Sequence, residues 1–124
     1  MTFVDTNVIL RWLLGDHQDL SFKAEKIVES AQPKSLLITD VVVAEIVYVL
    51  RSTGRNRSQT AEALSLLTRT NAFYFEKEEL IHELITLIAT TSLDFADCYL
   101  LARSIRERAK LLTFDNQLNK LAKR

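Results

Sequence analysis

The sequence predicts an α/β protein, a three-layer α/β/α sandwich around a short central parallel sheet. Three observations carry that prediction. Four apolar runs of strand length alternate with longer segments whose apolar residues recur every three or four positions. The short runs are apolar throughout, as strands covered on both faces are. Only two Gly and one Pro interrupt 124 residues, so the connections are short.

Thr2–Val4 reads as the first strand, and it stops at Asp5, Thr6 and Asn7, residues suited to a turn and a helix cap. Val8–Leu14 is a helix, apolar nearly all round, with Gly15 placed to cap its C-terminus. Ser21–Ala31 carries Ala24, Ile27, Val28 and Ala31 as a helical stripe, which Pro33 ends. Leu36–Ile38 is the second strand. The valine-rich Val41–Thr53 suits a strand by β-branching, but its length, Asp40 as N-cap and Gly54 beyond its end make it a helix. Ser58–Thr68 follows as a helix capped by Ser58, then the third strand, Ala72–Phe75. Glu78–Ala89 and Leu93–Ala109 are amphipathic helices, Leu111–Thr113 is the fourth strand, and Asn116–Lys123 is the closing helix. Trp12, with Leu13 and Leu14, belongs to the core, or alternatively to an apolar groove for a partner helix.

Composition sets the class. At 14.2 kDa, with 48% apolar and 26% charged residues, residues 1–124 are expected to form one soluble globular domain. No apolar run approaches the roughly 20 residues that span a bilayer, and the N-terminus has no leader-like pattern because Asp5 and Arg11 interrupt it. A lone cysteine, Cys98, forms no internal disulfide, so a cytoplasmic protein without membrane contact is expected. Sixteen basic residues balance sixteen acidic ones, so any attraction for nucleic acid must be local. Arg51, Arg55 and Arg57 form one basic cluster, and Arg103, Arg106, Arg108 and Lys110 another; solvated helix faces account for such clusters as readily as binding does.

The acids are more informative. Sheets of this kind place their sites beyond the carboxyl ends of the strands. Asp5 ends the first strand, Asp40 and Glu45 follow the second, and Asp115 lies just past the fourth. Asp94 and Asp97, three apart, share one helix face. Capping alone explains Asp16, Asp19 and Asp40. It does not explain Glu45 within VVVAEIVYVL or Asp97 within LDFADCYLLA, apolar settings where an unpaired carboxylate is costly. Four acids about 5 Å apart would repel by about 3 kcal/mol per pair at an effective dielectric of 20. Hard divalent cations with oxygen ligands, Mg²⁺ or Mn²⁺, would relieve that repulsion. His17 and His82 have no zinc-ligand spacing and are expected at the surface.

With those residues in view, the chain resembles a PIN-domain nuclease, and by its size the VapC-type toxins of toxin–antitoxin pairs. The resemblance spans essentially the whole chain and rests on FVDTNVIL, VAEIVYVL, DFADCYLLA and LLTFDNQLNKL, in that order. It implies a metal-dependent endoribonuclease in which Asp5, Glu45, Asp97 and Asp115 hold one or two Mg²⁺ or Mn²⁺ ions. Asp94 resembles an auxiliary acid, Thr6 and Asn7 a polar pair orienting Asp5, and Thr113 the hydroxyl residue before the last aspartate. The valine content before Glu45 is heavier than the family pattern. The resemblance further implies an RNA substrate, such as tRNA or another structured RNA, a cognate antitoxin and a homodimer. Arg51, Arg55 and Arg57 are candidate contacts to the RNA backbone. Cys98 is expected to be a buried, inert thiol.

Rival readings are less well served. A receiver-like regulatory module binds metal without hydrolysis, but it needs a phosphorylatable aspartate after a middle strand and a late lysine. Here Glu76 follows the third strand, and TFDNQL has no lysine. A dehalogenase-type phosphatase needs an acid two residues after Asp5, where Asn7 stands. The alternatives kept are a PIN-like nuclease that processes RNA without being a toxin and a non-hydrolytic metal-binding regulatory module.

Overall fold

A computed structural model describes residues 1–123. Helices dominate, and at their centre lies a three-stranded parallel sheet of β1 (Thr2–Phe3), β2 (Leu36–Ile38) and β3 (Phe73–Phe75), in the order β1-β2-β3. Thr2 faces Leu36 and Phe3 faces Leu37, while Leu36–Ile38 runs in register with Phe73–Phe75. Around the sheet lie α1 (Thr6–Leu14), α2 (Gln18–Ser30), α3 (Asp40–Ser52), α4 (Arg57–Arg69), α5 (Glu78–Thr90), α6 (Phe95–Glu107) and α7 (Asn116–Ala122). No helix among the described residues is long and apolar enough to cross a membrane.

The central strand behaves as its composition demands. All three residues of β2 are buried, and β3 turns Phe73 and Phe75 inward. By contrast, β1 is short and exposed, with Phe3 69% accessible. Its Thr2 and Val4 N–H groups donate to Ser35 and Leu37 on the β2 side. The expected fourth strand does not form: Leu111–Thr113 lies outside regular structure, and Leu112 stands 92% exposed. An apolar triplet alone cannot make a strand, because the ladder partner decides the matter.

Valine-rich α3 is a helix, as its caps require. Val43, Ile46, Val47 and Leu50 bury one face, and that burial outweighs the modest helix propensity of β-branched residues. Its cap is Thr39, whose Oγ1 accepts from Val42 N–H at 3.3 Å, so the expected capping role of Asp40 passes to its neighbour. Similarly, α4 begins earlier than expected, at a reciprocal capping box between Asn56 and Gln59 rather than at Ser58. The exposed His17 caps α2, its Nδ1 accepting from Leu20 N–H at 3.1 Å. Gly15 closes α1 with φ of 60°, a left-handed turn that strains any residue with a Cβ.

The core is continuous from α1 through β2 and α3 to α4, α5 and α6. Trp12, half-buried, meets the ring of Phe73 edge-on at 5.4 Å, which joins α1 to β3 and assigns Trp12 to the core. Cys98 is fully buried, as expected, and burial pushes its thiol pKa up.

Candidate active site

Each strand hands the chain to an acidic rim: Asp5 lies just past β1, Asp40 just past β2 and Glu76 just past β3. The rim acids differ in what they already hold. Glu76 Oε1 accepts from Asp40 N–H at 2.8 Å, which satisfies an open donor of α3's first turn. Asp40 Oδ2 accepts from the Tyr99 hydroxyl at 2.6 Å and pairs with Lys77 at 3.3 Å. Asp5 stands at the N-cap position of α1 with extended backbone, yet its carboxylate makes no capping bond and remains exposed. A good capping residue left uncapping is free to bind something else.

Glu45, on the second turn of α3, is exposed rather than sunk among apolar neighbours; the helix turns Ile46 and Val47 inward and Glu45 outward. Buried Thr6 donates its hydroxyl to Glu45 Oε1 at 3.2 Å. Thr6 therefore orients Glu45 and ties it to the end of β1, where Asp5 begins α1. Asn7 is exposed.

The other acids form a second neighbourhood. Asp94 caps α6, accepting from Asp97 N–H at 3.0 Å. Asp115 caps α7, accepting from Leu118 N–H at 2.8 Å, while Thr113 Oγ1 accepts from Asp115 N–H at 3.0 Å. Asn119 donates to the Thr113 carbonyl at 3.0 Å, which fixes the turn that presents Asp115. Half-buried Asp97 faces both acids. Its pKa is raised, first by desolvation and then by the charges of Asp94 and Asp115.

Among the described residues, none of Asp5, Glu45, Asp94, Asp97 and Asp115 has a Lys or Arg within salt-bridge reach. Asp16, Glu29, Asp40, Glu62, Glu79, Glu83 and Glu107 each do. The chain's ion pairs thus lie elsewhere. The five acids are nonetheless not drawn into one cage: no three His, Cys, Asp or Glu side chains among the described residues are placed to hold an ion. What the chain offers is a set of hard oxygen donors in two neighbourhoods, which by donor chemistry fits Mg²⁺ or Mn²⁺ better than zinc.

The three arginines part company. Arg57 turns inward, its Nε donating to the Ile88 carbonyl at 2.7 Å and Nη2 reaching Thr91 at 3.5 Å. Arg55 donates to Thr53 at 2.8 Å. Arg51 is exposed, with no side-chain hydrogen bond or ion pair among the described residues.

One arrangement behind the candidate site escaped the sequence. Arg103 Nη1 donates to the Tyr99 hydroxyl at 3.0 Å, and Tyr99 donates to Asp40, which also holds Lys77. This chain ties α6, which carries Asp97, to the start of α3, which carries Glu45. Tyr99 and Asp40 are 59 residues apart, and no local pattern links them. Tyr99→Phe is expected to lower stability by about 1.5 kcal/mol, the worth of a hydrogen bond to a charged group. Chemical denaturation of both proteins checks this, and an unchanged midpoint would show that the two helices are held by packing alone.

Asp5 and Glu45 near the strand ends, with Asp94, Asp97 and Asp115 at the starts of α6 and α7, all without cationic partners among the described residues, make up a candidate hydrolytic metal site. The chain belongs to the PIN-domain family, whose model matches residues 2–124. PIN domains are in general nucleases that act on RNA with divalent metal ions. No curated protein matches the chain by sequence.

Proposed function

We propose that this PIN domain is an endoribonuclease that uses Mg²⁺ or Mn²⁺, one or two ions, at a site formed by Asp5, Glu45, Asp97 and Asp115. The observation that carries the reading is that, among the described residues, none of these four acids has a Lys or Arg partner, whereas Asp40 at the end of β2 pairs with Lys77. Such carboxylates are available to ligands that bring positive charge. Asp5 is available because it caps nothing. Glu45 keeps one oxygen for Thr6, and its other oxygen has no hydrogen-bond partner among the described residues. Asp94 orients the first turn of α6 beneath Asp97, and Thr113 performs the same service for Asp115. A divalent ion, when bound, supplies an acidified water and neutralises charge on the phosphate and the leaving oxygen. The products would end in 5′-phosphate and 3′-hydroxyl.

In this reading the chain is the toxin of a type II pair. It cuts tRNA or another structured RNA, works as a homodimer, and is held inactive by an antitoxin whose tail covers the acidic site. The balanced formal charge agrees with a selective nuclease, since broad electrostatic attraction is absent. RNA processing without a toxin role is the second reading.

The test is direct. Purified protein should cut RNA with Mg²⁺ or Mn²⁺, stop in excess chelator, and lose cutting in Asp5→Asn with an unchanged circular dichroism spectrum. Full cutting by that variant or in chelator would remove the assignment. Expression of the chain alone in a bacterial host should arrest growth, whereas an RNA-processing enzyme should leave growth intact.

A further inference from the structure

An open groove of about 620 Å³ is lined by residues of α3 and by the start of α6, Asp94 among them. Val47, Leu93 and Phe95 supply apolar lining, and the exposed Tyr48 and Arg51 also line it. We propose that this groove is a nucleotide subsite: it receives one unpaired base of the RNA beside the scissile phosphate, with Tyr48 stacking on the base and Arg51 holding an adjacent phosphate. The inference deepens the nuclease reading and rests on it for the identity of the strand.

Four observations favour this occupant. Tyr48 is 73% exposed, an aromatic face shown to solvent beside the apolar lining. Arg51 lies three residues further along the same helix face and has no partner of its own among the described residues, so its guanidinium is available to a phosphate. Arg57, also lining the groove, is locked to the Ile88 carbonyl and adds fixed positive charge there. Finally, the groove opens beside Asp94, whose neighbour Asp97 belongs to the proposed reacting set, so one strand can occupy both. The space falls within the roughly 300–1,000 Å³ of small-ligand sites, enough for a nucleotide. A paired base is stacked between its neighbours and cannot enter, so cutting would be confined to unpaired positions such as loops and ends.

The experiment measures binding with divalent metal chelated, so that cleavage does not interfere. A short fluorophore-labelled single-stranded RNA is titrated against the natural chain and three variants. Tyr48→Ala should weaken binding about tenfold, in the range found for loss of one base stack. Tyr48→Phe should retain it. Arg51→Ala should weaken binding and reduce the magnitude of the log–log salt slope by about one. A blunt RNA duplex should compete poorly. Unchanged affinity in Tyr48→Ala, or equal competition by duplex, would overturn the subsite. So would dissociation of a dimer by Tyr48→Ala without loss of RNA affinity, which would make the groove a surface for a second copy. The two readings fail separately. Tyr48-dependent binding without Mg²⁺- or Mn²⁺-supported cutting would keep the groove and remove the nuclease. Cutting with unchanged KM in Tyr48→Ala would do the reverse.

Discussion

Asp97→Asn is expected to reduce RNA cutting at least a hundredfold and, in the same protein, to raise the melting temperature of the metal-free chain. The first effect follows from removing a charged donor from the proposed metal site, where one misplaced electrostatic contact commonly costs two to three orders of magnitude. The second follows from the environment of the carboxylate. Desolvation raises the Asp97 pKa first, and the charges of Asp94 and Asp115 add to it. The folded chain therefore holds this proton more tightly than the unfolded chain does. The sign is fixed by linkage: stability contributed by this group falls as pH rises through the carboxylate range, and it is regained on acidification. Asparagine has no charge to confine and removes that slope. Melting curves across the acid range, in chelator, should show natural and variant proteins converging at low pH and separating toward neutrality. A gain in stability beside a loss of activity is the mark of a functional carboxylate. Lower stability at neutral pH in the variant would assign Asp97 to the scaffold instead.

The largest loss of stability is expected from Phe73→Ala. Phe73 is 1% exposed on β3 and takes the edge of Trp12, so its ring connects the sheet to α1. Truncating a buried Phe costs about 3–5 kcal/mol, combining lost transfer energy with an unfilled cavity. Domains of this size hold only about 5–15 kcal/mol in all. The melting temperature should fall by about 10–20 °C, read by calorimetry. A fall below a few degrees would mean that α1 closes over the space. Phe73→Leu, which keeps most of the volume, should recover more than half of the loss.

Much of the helical framework could be read from residues whose signals are local. Gly15, the stripe of α2 and the buried face of α3 each act within one element, and each element formed. Boundaries moved where several caps compete: Asn56 prevails over Ser58 because Gln59 completes the box, and Thr39 prevails over Asp40 because Asp40 is engaged by Tyr99 and Lys77. Leu111–Thr113 misled because strand formation needs a partner that no triplet encodes. Of the candidate site, sequence spacing located Asp5 beside a strand end and Asp94, Asp97 and Asp115 at helix starts, although the strand expected before Asp115 does not form. It could not tell which would be engaged by the scaffold, because the deciding groups are distant in the chain. Thr6 serves Glu45 across 39 positions, and Arg57 is withdrawn from solvent by a carbonyl 31 positions away.

The single thiol gives the molecule an internal clock. Cys98 is wholly enclosed, with its sulfur 3.8 Å from the Arg57 guanidinium and 3.7 Å from the Leu93 carbonyl, where α6 begins and α4 and α5 close in. A soluble alkylating reagent can reach it only when that junction parts. The labelling rate thus counts spontaneous openings at the base of Asp97, without any probe having to be engineered into the chain.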